Sequence, residues 1–401
     1  MEVLVQALQW VLAVPVVFGS AFALLTVPVA WLFRRRRSIP LAPEACSPVS
    51  LLKPVCGQEK RLEENLRSCC EQDHPDFQVV FSVQHKEDST LPLLYRLQAE
   101  YGPARVAIAI AERAPMPNGK IHNLVGAMPA VRHEQIVISD SDIEIPPSYL
   151  RRITAPLRDP GVGYVCTPYK GVHAERWYER LELLSLHDYT TQVVFSWMTG
   201  ASGFLLGGSV AFRRSELDAI GGFEALQDYL VEDYEMGQRM TGLGLRPAFL
   251  PDLVETVIDL PDRHSWWRHM VYWDQNTRAA RPLAFIATIL IRSLPAALAL
   301  AALRGFDAVG VTVLATALAI RWGTVALTAR AFGDVEAMRN LGWLPLRDLA
   351  ALGSWLTALR ARELEWRGLL FDLDPDGRLS PRDPAAVAVG TSEDPAFRGA
   401  P

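Results

Sequence analysis

Basic residues are too few for this chain to be built around nucleic acid: Lys and Arg number 40 against 45 Asp and Glu, for a formal net charge of -5. No global basic surface arises from such a balance, which excludes a phosphate-collecting protein on electrostatic grounds. Cysteine is scarce too. Cys46, Cys56, Cys69, Cys70 and Cys166 are odd in number and lack CxxC spacing, which argues against a disulfide scaffold or a cysteine zinc site and for reduced thiols in a cytosolic domain. Charge of either sign is thin: 21% of residues are charged and 50% hydrophobic. That is more apolar than an average soluble chain, so part of the excess is expected in lipid.

Leu4 to Phe33 carries no charge, is preceded only by Glu2, and stops on Arg34, Arg35, Arg36 and Arg37. A hydrocarbon core needs roughly twenty residues, so residues 1–37 read as an anchor, and its basic stop places the domain beyond it in the cytoplasm. Positive charge ahead of the run and a small-residue cleavage site are both missing, which excludes a cleaved signal peptide. Residues 48–260 then alternate short apolar runs with helical patterns, the mark of an α/β domain with a mostly parallel, Rossmann-like sheet. Candidate strands are 49–53, 78–83, 105–110, 135–139 and 162–167. Residues 261–281 form an aromatic and basic juxtamembrane segment. Two apolar runs, 283–303 and 309–329, are interrupted only by Arg292 and Arg321, and predict a transmembrane hairpin over 282–330. Arg360, Arg362 and Arg367 place the returning chain on the cytoplasmic side. Residues 341–370 read as an interfacial helix or a third span, and 374–401 as a disordered tail.

The chemistry concentrates at four places. Asp140 and Asp142 follow the run Gln135-Ile136-Val137-Ile138; two carboxylates at the end of a buried strand can share a divalent cation and so neutralise a diphosphate. Glu87 and Asp88 follow the strand 78–83, where a carboxylate can accept from a pyrimidine N–H or a ribose hydroxyl; helix capping explains Asp88-Ser89 equally well. Glu232-Asp233 heads a predicted helix running to about Met240. One of the two can take a proton from an acceptor hydroxyl, although acids in a first turn also complement the helix dipole. Last comes Trp266-Trp267-Arg268-His269-Met270-Val271-Tyr272-Trp273 with Arg278. Interfacial Trp and Arg suit any juxtamembrane segment; the sharper reading sets Arg268, His269 or Arg278 against a diphosphate and Trp273 at an acceptor entrance.

In order, Lys53-Pro54, Glu87-Asp88, Lys120 with Asn123, Asp140-Ser-Asp142, Gly221-Gly222-Phe223, Glu232-Asp233 and His269-x-x-Tyr272-Trp273 resemble the ceramide glucosyltransferase-like family. Residues 63–66, 75–77, 221–226 and Trp-Arg-Gly at 366–368 look like its bacterial hopanoid-associated branch. The resemblance implies a GT-A nucleotide-sugar-binding fold with an N-terminal transmembrane helix and C-terminal hydrophobic helices, and an inverting single displacement. It implies uridine at Glu87 or Asp88, Lys120 near the donor phosphates or ribose, a cation (Mg²⁺ or Mn²⁺) at Asp140 and Asp142, and Asp233 as base. Glu232, Arg268, His269, Tyr272, Trp273 and Arg278 make up the acceptor and diphosphate set. Two departures stand out: the first acidic site reads His-Lys-Glu-Asp, and Tyr272 occupies the arginine position of the (Gln/Arg)-x-x-Arg-Trp motif.

The expected protein is therefore an integral membrane enzyme, with its catalytic domain on the cytoplasmic side of a bacterial inner membrane. It would use a UDP-sugar donor and a membrane lipid acceptor, a hopanoid polyol or a ceramide. A processive polysaccharide synthase shares the carboxylate series but needs more spans and the intact Arg-Trp motif. A catalytically silent lipid-binding scaffold would suit Tyr272 but leaves the acidic positions without a reason.

Overall fold

The computed structural model describes residues 2–111, 116–201, 205–361, 363–366, 369–374 and 376–383. Arg362, the Arg367-Gly368 part of the Trp-Arg-Gly motif, and residues 384–401 of the expected tail lie outside the described residues. The chain makes two compact units, each assembled from separated stretches: Met1–Arg36, Ala174–Ala201 and Trp266–Ala361 in one, Arg37–His173, Ser202–Ser265 and Arg362–Pro401 in the other.

The second unit is built on a sheet. Its central strands are β1 (Val49–Pro54), β2 (Phe77–Val83), β3 (Val106–Ile110) and β4 (Gln135–Ser139). Two short strands, β5 (Ile143–Glu144) and β7 (Tyr169–Val172), flank β6 (Val162–Cys166); β8 (Ser209–Arg213), β9 (Arg246–Phe249) and β10 (Val254–Val257) follow. The main sheet runs β3-β2-β1-β4-β8-β6-β9, and β5-β10-β7 form a small second sheet. Every residue of β1, β2, β4 and β6 is buried, which is why the sequence there is mainly apolar with no solvent-facing alternation, and the polar residues it does hold, such as Lys53 and Gln78, are buried too. β1 to β4 are mutually parallel, with Val49 opposite both Phe77 and Gln135. The sheet is mixed beyond them, because β8 runs antiparallel to both β4 and β6. With Ser139 opposite Ser209, the residues entering β8 arrive at the same sheet edge that β4 leaves. Ligands collect at that edge of an α/β sheet.

The first unit is helical. Helices Glu2–Arg35 and Ala308–Phe332 are each long and apolar enough to cross a membrane; Pro282–Ile291 and Ser293–Leu303 make a third span only if taken together, bent 54° at the break. Gly19 lets two backbones approach closely, since a Cβ there would stand 3.0 Å from the Ile291 carbonyl. Charge inside this unit is paired. Arg321 binds Asp348 through two contacts of 2.8 and 3.0 Å and also meets Asp188; Arg347 meets the same two aspartates. His187 bridges Asp334 Oδ2 at 2.8 Å and Thr328 Oγ1 at 3.0 Å.

Three expectations need correction. The domain over 48–260 is not contiguous, because helix Trp177–Met198 belongs to the helical unit. Its buried residues surround the axis rather than lining one face, so it carries no stripe that would mark it as a packing element of a helical bundle. The first arm of the expected hairpin is broken at Arg292 rather than continuous. The expected tail from 374 contains a strand: β13 (Leu379–Pro381) pairs with β12 (Leu369–Leu373), which pairs with β11 (Glu363–Trp366), in a small antiparallel sheet. In the 341–370 stretch, helix Leu344–Arg360 precedes β11.

Candidate active site

At the carboxyl end of β4 the backbone of Asp140 donates to Gly208 O at 3.0 Å, which fixes the Asp140-Ser141-Asp142 turn against the start of β8. Asn65 Nδ2 donates to Ser141 O at 3.1 Å from the other side. Asp140 and Asp142 are both buried. Lys53, fully buried at the end of β1, donates to Ile143 O at 2.7 Å and Ser139 Oγ at 3.3 Å; it holds the turn from below.

Lys120 enters this cluster from the first turn of helix Gly119–Ala127. Asn118 caps that helix, its side-chain oxygen accepting from the N–H groups of Lys120 and Ile121 at 3.0 and 3.1 Å. The Lys120 ammonium stands 2.7 Å from Asp140 Oδ1 and 3.6 Å from Glu232 Oε1, and donates to Gly207 O at 3.2 Å. Burial works against that charge, but Asp140, Glu232 and Asp233 outweigh it and raise its pKa.

Glu232 and Asp233 open helix Glu232–Gly242. Asn118 Nδ2 donates to Glu232 Oε2 at 3.1 Å, so the residue that caps the Lys120 helix also orients this carboxylate. Asp233 Oδ2 accepts from Gly207 N at 2.7 Å and its Oδ1 from Tyr234 N at 2.6 Å. Glycine is required at 207 by close approach: a Cβ would sit 2.8 Å from Asp233 Oδ2. Burial first, then the neighbouring Glu232, push the Asp233 carboxyl up to about 7, against the pull of Lys120 and the two backbone donors. Asp140 is raised by burial and restrained by Lys120, while Asp142 is pushed well up by burial and then by Asp140.

Among the described residues no group of three or more His, Cys, Asp or Glu side chains gathers as a ready-made metal cage. The two carboxylates nevertheless suit a hard divalent cation. Asp140 Oδ2 is buried without a hydrogen-bond partner, and burial and the neighbouring Asp140 push the Asp142 carboxyl well up. Mg²⁺ and similar ions are commonly held by one or two carboxylates plus substrate phosphates.

The remaining candidates fall elsewhere. Glu87 is exposed, whereas Asp88 is committed to its loop, taking Thr90 N and Thr90 Oγ1 on Oδ1 at 2.8 and 2.6 Å and Gly57 N on Oδ2 at 3.3 Å. Arg268, His269, Tyr272, Trp273 and Arg278 lie on helix Arg263–Ala280 in the helical unit. There His269 Nδ1 meets Glu182 Oε1 at 3.0 Å and Trp273 Nε1 donates to His269 Nε2 at 3.1 Å. Nε2 therefore accepts and the proton sits on Nδ1. Tyr272 is buried and its ring lies parallel to that of His269. Arg278 donates to the carbonyls of Ala358 and Ala361, closing the end of helix Leu344–Arg360. Sequence reading misses Asn118 and Gly207. The first is legible as an N-cap; the second, only as a glycine pair before an apolar run.

A mixed sheet of this order, with an acidic turn at its ligand-bearing edge, defines a GT-A nucleotide-sugar-binding fold. The mannosyltransferase PcManGT from Pyrobaculum calidifontis, solved with GDP-Man and Mn²⁺, superposes with a TM-score of 0.54 at 21% identity, covering 89% of this chain and 99% of that one. The profile of glycosyl transferase family 21 matches residues 10–379, and the chain belongs to that family. It is 27% identical over 232 residues to ceramide glucosyltransferase 1 of Caenorhabditis elegans, 55% of this chain and 48% of the relative. It is 23% identical over 353 residues to ceramide glucosyltransferase 3 of the same organism, 83% of this chain and 74% of the relative. The chain thus spans about half the length of the first of these relatives and about three quarters of the second.

Proposed function

We propose that this chain is an inverting hexosyltransferase. It moves a hexose or N-acetylhexosamine from a UDP-sugar to the hydroxyl of a membrane lipid, a hopanoid polyol or a ceramide, at the cytoplasmic face of a membrane. The observation that carries the reading is the meeting of Lys120, Asp140, Glu232 and Asp233 in one largely enclosed cluster with Asp233 pushed up to about 7. A carboxylate poised near neutrality can accept a hydroxyl proton at working pH.

In this reading the lipid oxygen attacks the anomeric carbon, its proton passes to Asp233, and the bond to the diphosphate breaks to release UDP. Asp140 and Asp142 would hold a divalent cation, which would supply charge neutralisation to the diphosphate. Lys120 holds Asp140 and Glu232 in place through its ammonium. The backbone N–H groups of Gly207 and Tyr234 hold the Asp233 carboxylate against rotation, and Asn118 orients the neighbouring Glu232, so the base needs no rearrangement to meet the acceptor. Glu87 or Asp88 takes the uridine, and His269 and Trp273 belong to the acceptor set. The names of the two nematode relatives support a lipid acceptor and a hexose donor.

The test is to incubate detergent-solubilised protein separately with UDP-glucose, UDP-N-acetylglucosamine and UDP-galactose, a bacteriohopanetetrol-type lipid or ceramide, and Mg²⁺, and to weigh the lipids by mass spectrometry. One added hexose or N-acetylhexosamine is expected. Repeated addition would mark a polysaccharide synthase instead, and no transfer with no UDP binding would overturn the enzyme reading.

A further inference from the structure

The segment after β12 does not trail away from the sheet unit but is strapped to the strand that leads into the Glu232 helix. Gly377 O accepts from Leu230 N at 3.0 Å, and Leu379 N donates to Asp228 O at 2.7 Å. These bonds flank an antiparallel bridge between Tyr229 and Arg378. Arg378 also reaches the Tyr229 hydroxyl at 3.2 Å and lies over its ring, 5.2 Å from the centroid. On the same ring lies Arg239, 5.5 Å from the centroid, which belongs to the Glu232 helix itself. Leu379 and Leu230 are both buried. Gly377 turns back at φ +83, a conformation that favours glycine.

The other side of the same strand is gripped by Asn118, which donates to Tyr229 O at 3.0 Å and Glu232 Oε2 at 3.1 Å, and whose N–H bonds Gln227 O at 3.1 Å. Residues 227–232 are therefore held along both edges, by the cap of the Lys120 helix and by the returning chain. Asp233 comes four positions after Tyr229. We infer that residues 377–379 are positioning residues for the proposed base, acting as an added strand that sets where the Glu232 helix begins. The inference rests on the function proposed above. Misplacement of a reacting group by about 1 Å costs on the order of 100-fold in rate, so even partial loosening reaches turnover.

Leu379→Pro removes the donor to Asp228 O, and Leu379→Ala keeps it while losing the same side-chain packing. In the full-length, detergent-solubilised protein, Leu379→Pro should lower kcat about tenfold or more below Leu379→Ala, a fraction of that 100-fold limit. UDP affinity, measured by calorimetry, should be the same in both. Arg378→Ala, a surface change, should lower kcat by a smaller factor with the acid limb of its pH profile moved to lower pH, because a loosened Asp233 is better hydrated. Equal kcat in Leu379→Pro and Leu379→Ala, with wild type active, would overturn the inference, as would parallel loss of kcat and UDP affinity. An inactive wild type would instead count against the proposed function.

Discussion

In the helical unit Arg321 and Arg347 meet Asp188 and Asp348, two cations against two carboxylates. In the sheet unit Lys53 and Lys120 stand among Asp140, Asp142, Glu232 and Asp233, two cations against four carboxylates. Buried charge that is balanced and hydrogen-bonded holds helices in register; removing one partner leaves an uncompensated ion. Buried charge left in excess stores a demand that a cation and a donor can satisfy, and it shifts pKa values to where chemistry needs them. The distinction separates scaffold from site in a chain where both gather aspartates around basic side chains.

The largest effect that would sharpen this contrast belongs to Asp233→Asn. It should lower single-turnover transfer by about 100- to 10,000-fold, the range of a lost general base, while calorimetric UDP binding stays near wild type. Tight binding lost together with turnover would make Asp233 a donor-holding residue instead. Next comes Arg321→Leu, which leaves Asp188 and Asp348 short of a partner. A loss of about 3 kcal/mol of stability is expected, read as a lowered unfolding temperature in detergent; no change would break the view of this cluster as structural.

The pH profile should move in opposite directions for the two neighbours of the base. Transfer needs the ionised carboxylate, and Asp233 is raised to about 7, so kcat/KM should fall as pH drops through that region. Glu232→Gln removes a like charge and should carry the limb toward acid. Lys120→Met removes the opposing charge and should carry it toward alkali. Limbs that do not move would show that burial alone sets the value. The smallest effect is thermal. Mn²⁺ should raise the unfolding temperature by a few degrees, since a ligand bound only to the folded state stabilises it by mass action. Asp140→Asn and Asp142→Asn should each abolish that gain.

Much of the sheet is legible because its strands are buried on both faces: Val49–Pro54, Phe77–Val83 and Gln135–Ser139 read as mainly apolar stretches with no polar face, and each falls within a residue or so of its expected place. Strand β8 is not, since Ser209–Arg213 comes after a glycine pair and runs antiparallel, and direction leaves no mark in composition. The acidic turn is visible from its place after a strand. What Lys120 does there is not, because an ion pair with Asp140 and Glu232 joins residues 20 and 112 positions apart. Sequence pattern puts helix Trp177–Met198 in the wrong unit, and Leu379–Pro381 in a tail, for the same reason: each is held by partners remote in the chain.

By itself the sequence determined the long apolar N-terminal helix, the buried strands and the acidic residues after β4, since those depend on local composition and on burial that reads directly as apolarity. The tertiary structure alone decided that Asp233 lies against Gly207, that Asn118 serves both the Lys120 helix and Glu232, and that the chain's last described strand returns to Asp228. Side-chain charge interacts through space and hydrogen bonds close only at about 3 Å. Such meetings are therefore set by how distant segments pack, and spacing along the chain does not encode them.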